Sequence, residues 1–200
     1  MLLPIHPDNP NAREVAQAAE ALRNHGVLIC PTDTVYAFVC ALTSKKGYEA
    51  LLRIKGQKEK EAHHSLLLPD MSTLASYAKV DNATFRVLKQ NLPGPFTFIL
   101  NASGHVPDKL LGRRKSIGIR VPRSRIVAAL IAQLGCPLLT SSVKSAAGEY
   151  FTDPSELHER LAKLVYAVID GGPGGTTPST IVDCTTLPFE LVREGQGVLI

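Results

Sequence analysis

The sequence has no long run of apolar residues, although 44% of its 200 residues are hydrophobic. A helix that crosses a bilayer needs about 20 consecutive apolar residues, so a membrane-spanning helix is excluded. The first ten residues contain three prolines among polar side chains, whereas a secretory signal needs a continuous apolar stretch at this place. We therefore expect a cytoplasmic protein with no membrane partner.

Cysteines are few and widely separated. The four stand at positions 30, 40, 136 and 184, and no two form a C-x-x-C pair. A disulfide framework or a zinc knuckle needs closer or paired spacing, so we expect these cysteines to act as small buried hydrophobic side chains. No internal repeat or low-complexity linker divides the chain. The sequence therefore predicts one domain, residues 1–200, with enough apolar residues to build its own core.

Several common catalytic signatures are also missing. The sequence has neither G-x-S-x-G nor H-E-x-x-H, which disfavours a serine hydrolase and a zinc metalloprotease. The glycine-rich segment 171–177 could approach a phosphate, but it lacks the Lys-Ser/Thr ending of a Walker A loop, and a flexible turn between strands is the more frequent explanation of such a segment. No residue pattern predicts a metal ion bound by the protein itself.

Hydrophobic periodicity alternates between helical and extended segments. The clearest helix is 125–134, because apolar residues recur at helical spacing between a Ser124 cap and a Gly135 stop. Further helices are predicted over 12–25, from 44 onward, over 72–78 and 82–91, and from 154 onward. Strands are predicted over 27–30, 65–68, 96–100, 117–121, 138–141, 165–169 and 179–183. This alternation predicts an α/β fold with helices on the faces of a partly parallel sheet, in a strand order that the sequence does not reveal.

Positive charge is concentrated in one segment. Residues 109–125 hold seven basic residues and no acidic one, whereas the whole chain has a net charge of only +4. Such a segment raises the local concentration of nucleotides, pyrophosphate or RNA, although a solvated loop that serves solubility is the alternative. The residues predicted to contact RNA are Lys109, Arg113, Arg114, Lys115, Arg123 and Arg125.

Hydroxyl-bearing residues follow two of the apolar strands. Thr32, Thr34 and Tyr36 come directly after one strand, with the carboxylate of Asp33 among them. The Thr-Ser-Ser sequence at 140–142 ends another strand in the same way. Ligands of open α/β sheets bind outside the carboxyl ends of strands, so both segments are candidate binding sites. An ordinary Pro/Asp turn explains the first segment equally well.

Taken in order, eight segments resemble the motifs of the YrdC/YciO superfamily, and the resemblance covers nearly the whole chain. The matching segments are Pro31–Tyr36, Arg53–Gly56, Pro93–Phe98, Ile117–Pro122, Thr140–Ser141, Asp170–Gly172, Ser179–Asp183 and Leu191–Gly195. Each segment alone is a weak signal, but the ordered set is specific. The resemblance implies a twisted α/β sheet with a positively charged concave surface. It also implies an enzyme that joins ATP, bicarbonate and L-threonine into threonylcarbamoyl-AMP for tRNA modification and releases pyrophosphate.

The resemblance further implies roles for individual residues. Lys55 and Arg193 would hold the triphosphate and stabilise the charge of the departing pyrophosphate, and Arg120 would clamp the threonine carboxylate. Mg²⁺ would arrive with ATP, bound by phosphate oxygens and water, and catalysis would need no covalent enzyme intermediate. The remaining implied nucleotide contacts are Ser141 and Ser142. The remaining implied substrate contacts are Thr32, Thr34, Tyr36, Thr140, Ser179 and Thr180.

The sequence departs from the superfamily pattern at three positions. The K-x-R motif reads Lys55-Gly56-Gln57, and the sequence leaves open whether Lys58 replaces the missing arginine. The S-x-N motif reads Ser141-Ser142-Val143, and Ala37 stands where glycine is usual. A lost charge-assisted contact costs about 1.5–3 kcal/mol, or about tenfold to a hundredfold in rate. The departures therefore predict a weak or redirected synthase of a YciO-like branch.

Two further functions stay open at this point. A noncatalytic protein could bind double-stranded RNA or tRNA through the basic segment, and its affinity would then fall with salt. Alternatively, a related carbamoyl- or acyl-adenylate chemistry could use an amine other than threonine. The first alternative depends on the basic residues alone, whereas the second depends on the same site as the synthase.

Overall fold

The computed structural model describes residues 1–59, 64–111 and 115–200, and within these ranges strands and helices alternate along the chain. The strands are β1 (Leu2–Pro4), β2 (Leu28–Cys30), β3 (Ala37–Ala41), β4 (Ser65–Leu67), β5 (Phe96–Asn101), β6 (Ser116–Arg120), β7 (Leu138–Ser142), β8 (Ala167–Asp170), β9 (Thr180–Asp183) and β10 (Glu190–Arg193). The helices are α1 (Ala12–Arg23), α2 (Lys45–Lys55), α3 (Leu74–Tyr77), α4 (Asn82–Asn91), α5 (Arg125–Leu134) and α6 (Pro154–Leu161). None of these helices is long and apolar enough to cross a membrane.

All ten strands join one mixed sheet in the order β1-β8-β2-β3-β7-β4-β6-β5-β9-β10. The pairs β1/β8, β2/β8, β4/β6 and β5/β9 are parallel, and the other five are antiparallel. The prediction of an α/β fold with a partly parallel sheet is confirmed. Periodicity did not predict β1, β3 and β10; two of these are the edges of the sheet, and β3 lies near its middle.

Local capping signals set the ends of α2. At its start, Ser44 Oγ accepts a hydrogen bond from the Gly47 N–H at 2.9 Å, a cap worth about 1 kcal/mol. At its end, Gly56 adopts a left-handed conformation with φ of 61°, which glycine reaches without steric cost. The helix therefore ends at Lys55, and the chain turns away immediately after this side chain.

Side chains alternate between the two faces of the sheet. On one face, apolar residues such as Val39 and Leu67 pack in a core with α1 and α5. On the other face, Phe38 and Leu66 belong to a larger core that includes residues of α2, α4 and α6. Each such buried side chain stabilises the fold by about 1.5–3 kcal/mol. The sheet is thus covered on both faces by helices.

The face that packs against α1 and α5 becomes polar toward the middle of the sheet. Thr140 of β7, Ser65 of β4 and Gly118 of β6 are direct neighbours across the strands. Arg120 lies two residues beyond Gly118, so its side chain leaves the same face. A Cβ at Gly118 would come within 2.5 Å of Ser65 Oγ, so glycine keeps the strands close here. These four residues, the polar row, position the candidate site.

Candidate functional site

Arg120 is the most deeply buried charged residue of the site, at 5% exposed. Its Nη2 donates to Asp33 Oδ1 at 2.7 Å and to Thr34 Oγ1 at 3.0 Å, and the second carboxylate oxygen of Asp33 accepts from the Arg123 N–H at 3.0 Å. Burial lowers the pKa of Arg120 and Asp33 raises it, but a guanidinium stays protonated in proteins. Its Nε has no hydrogen-bond partner among the described residues. A buried N–H donor is therefore left for a ligand.

Arg193, at the end of β10, lies close to Arg120. Its Nε and Nη2 donate to the Ser179 carbonyl at 3.2 and 2.7 Å, and Ser179 Oγ is 2.8 Å from Thr97 Oγ1. The charge of Arg193 further lowers the pKa of Arg120. Within the described ranges Arg193 makes no ion pair. The structure thus brings Arg120 and Arg193 together with Asp33, Thr34 and Ser179, and we call these five residues the arginine cluster.

Lys55 is anchored at β7 instead of at the arginine cluster. Its Nζ donates to the Ser142 carbonyl at 2.9 Å and lies 6.0 Å from the centre of the Phe38 ring. Burial lowers the pKa of Lys55, and the charge of nearby Lys144 lowers it further. Neither lysine is ion-paired in the part of the chain that the structure describes. Lys55 and Lys144, the lysine pair, therefore form a second cationic region beside the end of β7.

The loop between β2 and β3 is folded by its own hydroxyl groups. Thr32 Oγ1 accepts from the Thr34 N–H at 3.1 Å and donates to the Val35 carbonyl at 2.8 Å. The buried Tyr36 donates its hydroxyl to the Gly172 carbonyl at 2.7 Å. Burial raises the pKa of Tyr36, so this hydroxyl keeps its proton. Thr32 and Tyr36 therefore hold the loop that presents Thr34 and Asp33 to Arg120.

The glycine-rich segment 171–177 packs against the same loop. The Gly175 N–H donates to the Thr34 carbonyl at 2.9 Å. A Cβ at Gly175 would lie 2.3 Å from that carbonyl oxygen, and one at Gly174 would lie 2.6 Å from the Tyr36 ring. Close packing of the two loops thus explains why these two positions are glycine. The sequence alone had left their role open.

The hydroxyls of β7 and β9 differ in what they contact. Thr140 is buried on the polar row, and its Oγ1 has no hydrogen-bond partner among the described residues. Ser142 lies on the same face of β7 and the intervening Ser141 on the opposite face, because side chains alternate. Thr180 Oγ1 donates to the Gly197 carbonyl at 2.6 Å and accepts from the Gly195 N–H at 3.1 Å. The Thr180 hydroxyl thus holds the chain after β10 in place, whereas the buried Thr140 hydroxyl has no hydrogen bond among the described residues.

The basic segment is divided by β6. Lys109 and Lys115 precede this strand, whereas Arg123 and Arg125 follow it, so the five residues of β6, a strand about 16 Å long, separate the two pairs along the chain. The side chains of Arg123 and Arg125 each donate to a backbone carbonyl, whereas Lys109 and Lys115 are exposed. Two predicted RNA contacts lie outside the described residues: Arg113 and Arg114.

The two main departures from the superfamily motifs lie in different surroundings. Val143 is only 1% exposed and packs in the large core. The Gln57 N–H donates to the Leu52 carbonyl at the end of α2. Gln57 and Lys58 line a surface cavity of about 610 Å³ together with Glu49 and other residues. Val143, at the asparagine position of the S-x-N motif, is therefore part of the core. Gln57, at the arginine position of the K-x-R motif, lies beside the cavity.

Sequence reasoning missed three residues of the site. Asp33 was noticed as a carboxylate but given no role, although an acid among hydroxyls, in a chain with a separate basic segment, was a usable signal. Thr97 and Lys144 had no signal of their own, because only the sheet pairing and the turn after β7 bring them near Ser179 and Lys55. Across the described ranges no group of three or more His, Cys, Asp and Glu residues is arranged to hold a metal ion.

Comparison with known proteins gives consistent matches along the chain. Residues 20–195 match the model of the Sua5/YciO/YrdC family, whose description reads telomere recombination. YciO of Escherichia coli K12 is 42% identical over 195 residues, which cover 96% of this chain and 94% of the relative. The crystal structure of E. coli YciO superposes with a TM-score of 0.93, covering 99% of this chain and 97% of that one.

More distant matches carry the name of an activity. The threonylcarbamoyl-AMP synthase of Klebsiella pneumoniae is 29% identical over 192 residues, which cover 94% of this chain and 99% of the relative. Sua5 of P. abyssi, crystallised with L-threonine, superposes with a TM-score of 0.89 at 23% identity. That match covers 98% of this chain and 57% of the Sua5 chain, and at this identity it shows a shared fold.

Proposed function

Because the chain belongs to the Sua5/YciO/YrdC family and is related to threonylcarbamoyl-AMP synthases, we propose that it catalyses a synthase-type reaction, with ATP, bicarbonate and L-threonine as substrates. The threonine amine and bicarbonate form a carbamate, whose oxygen attacks the α-phosphorus of ATP. The products are threonylcarbamoyl-AMP, pyrophosphate and water, and the adenylate would serve tRNA modification. A cytoplasmic setting, expected from the sequence, is part of this proposal.

The observation that carries the proposal is the free Nε of the buried Arg120. A buried donor without a partner costs free energy of about 1–3 kcal/mol, which a carboxylate ligand would remove. Asp33 and Thr34 hold the guanidinium in place through Nη2, so Nε keeps its direction before the ligand arrives. We assign the threonine carboxylate to this donor, and the complex of P. abyssi Sua5 with L-threonine supports an amino acid as the ligand of this fold.

The phosphate groups are assigned to the other cations of the site. Lys55 and Arg193 would hold the triphosphate and stabilise the negative charge that builds up on the departing pyrophosphate. At the end of β7, Ser141 would add a hydroxyl contact on the face that carries Phe38 and Ser142 one on the opposite face, so the two serines would contact different parts of the ligand. Because Asp33, the carboxylate of the arginine cluster, is already paired with Arg120, we expect Mg²⁺ to be held by phosphate oxygens and water.

Gln57 and Val143 limit how fast this reaction can be. Each replaces a polar contact of the superfamily motif, and each loss costs about tenfold to a hundredfold in rate. Val143 is buried in the core and offers the nucleotide no polar atom. We therefore expect a slow synthase, or one that prefers another amine.

The test is release of pyrophosphate from ATP, measured with and without L-threonine and bicarbonate. We expect release that needs both, and at least a tenfold loss in Arg120→Gln and in Arg193→Gln, as for one charge-assisted contact each. The exposed Arg86 of α4 supplies a matched control, Arg86→Gln, which should behave as wild type. Release that ignores threonine, or that survives both site variants, would overturn the proposal.

A second candidate function is binding of double-stranded RNA or tRNA without catalysis. It is favoured by Lys109 and Lys115, which are exposed and carry no ion pair among the described residues. We expect the double variant Lys109→Glu/Lys115→Glu to weaken binding and to reduce its salt dependence. The exposed Lys163→Glu, outside the segment, is the control. Equal binding by the double variant and the control would exclude this surface.

A further inference from the structure

Two lysines lie beside the end of β7. No carboxylate of the described residues forms an ion pair with either of them. We propose that Lys55 and Lys144 together bind the phosphate chain of a nucleoside triphosphate, or free pyrophosphate. Lys144 would supply the positive charge that the K-x-R motif carries as arginine at the position of Gln57. The inference deepens the proposed function, on which it rests for the presence of a phosphate ligand. It assigns a binding role to a residue outside the superfamily motifs.

Both ammonium groups flank one short segment. Lys55 Nζ is 2.9 Å from the Ser142 carbonyl oxygen, and Lys144 is two residues further along the chain. Lys144 Nζ lies 4.7 Å from the centre of the Tyr150 ring, a cation–π distance that holds the side chain in one place. The backbone returns to Tyr150 through a turn in which the Ser145 N–H donates to the Glu149 carbonyl at 2.8 Å. The two cations are thus placed by contacts with the segment itself.

The electrostatics of the lysine pair favour an anion. Burial and the charge of Lys144 both lower the pKa of Lys55, so the two charges repel each other at a half-buried position. Neither lysine is paired with a carboxylate of the described residues. A phosphate group between them would remove the repulsion and accept hydrogen bonds from both ammonium groups. The lysine pair therefore favours a ligand of high negative charge.

Lys58 is the alternative cation, and its surroundings are less suitable. It lines the cavity of about 610 Å³ at the end of α2, where Glu49 and Glu59 are also among the lining residues. The two carboxylates offset the charges of Lys58 and Arg53, which also lines this cavity, so a phosphate would meet no net positive charge there. The charge of Lys144, in contrast, lowers the pKa of Lys55. The structure thus favours Lys144 over Lys58 as the second phosphate contact.

Calorimetric titration with inorganic pyrophosphate and with ATP tests the assignment. We expect Lys144→Gln to bind both about tenfold more weakly, as for one lost charge-assisted contact, and Lys144→Arg to keep most of the affinity. Lys58→Gln removes the same charge from a neighbouring exposed position and should bind as wild type. In Lys144→Gln, the pKa of Lys55, followed by NMR, should also rise.

The outcomes separate this inference from the proposed function. Wild-type affinity in Lys144→Gln, or a loss in Lys58→Gln alone, would overturn the lysine pair and leave the synthase proposal standing. Binding as expected without threonine-dependent pyrophosphate release would support the lysine pair and overturn the synthase. A wild type that binds neither pyrophosphate nor ATP would overturn both.

Discussion

The arginine cluster and the lysine pair are both cationic, but they hold their charge in different ways. Arg120 is almost completely buried and has a carboxylate 2.7 Å away. Lys55 is half-buried, donates to a backbone carbonyl beside the Phe38 ring, and has its pKa lowered by the charge of a second lysine. A buried guanidinium paired with Asp33 is part of the folded structure whether or not a ligand is present. The two lysines, in contrast, have no counter-charge among the described residues and would gain one when a ligand binds.

This difference predicts that the two regions respond differently to substitution. Removing charge from the arginine cluster should change the stability of the fold, since a buried ion loses its partner. Removing charge from the lysine pair should change ligand affinity while the fold stays stable, because Lys144 is exposed and Lys55 is only half-buried. Substitutions at Asp33, Val143, Lys55 and Lys144 test the contrast.

Asp33→Ala should have the largest effect. It leaves the Arg120 guanidinium buried without a counter-charge, which costs about 3–5 kcal/mol of the free energy of unfolding. Lys144→Ala, at an exposed position, should stay within about 0.5 kcal/mol of wild type. Urea unfolding measures both. If Asp33→Ala lost less than about 1 kcal/mol, the ion pair would be unimportant for the fold and the contrast between the regions would disappear.

How far the sequence could predict these regions depends on the range of the interactions. Helix α5 was predicted from its Ser124 cap, its apolar spacing and Gly135, all within twelve residues. Strand β1 was missed, because it pairs with β8, which lies more than 160 residues away. The same limit applies to the site. The Thr32–Tyr36 loop was recognised locally, but Asp33 meets Arg120 across 87 residues of sequence, through the order of the strands.

Val143→Asn should have an intermediate effect. It tests whether the asparagine of the motif can contact the nucleotide in the surroundings that this chain provides. The substitution restores the asparagine of the S-x-N motif, but Val143 lies in the large core and is 1% exposed. Burying an amide there costs about 1–3 kcal/mol unless it finds hydrogen-bond partners. We expect lower stability in urea without a gain in ATP affinity. A rise in ATP affinity at unchanged stability would instead show that the asparagine reaches the nucleotide as the motif implies.

The pH dependence of Lys55 should be the smallest effect, and it probes the lysine pair without a ligand. Burial and the charge of Lys144 lower the pKa of Lys55 in the folded chain. At pH values between that lowered pKa and the usual 10.5, Lys55 is therefore protonated more often in the unfolded chain than in the folded chain. The stability of wild type relative to Lys55→Met should therefore rise with pH across this window. Solvent screening at a half-exposed site keeps the rise below about 1 kcal/mol. The same comparison in a Lys144→Gln background should give a smaller rise, since one cause of the lowered pKa is gone. An equal rise in both backgrounds would mean that burial alone acts on Lys55 and that Lys144 is too far away to share its ligand.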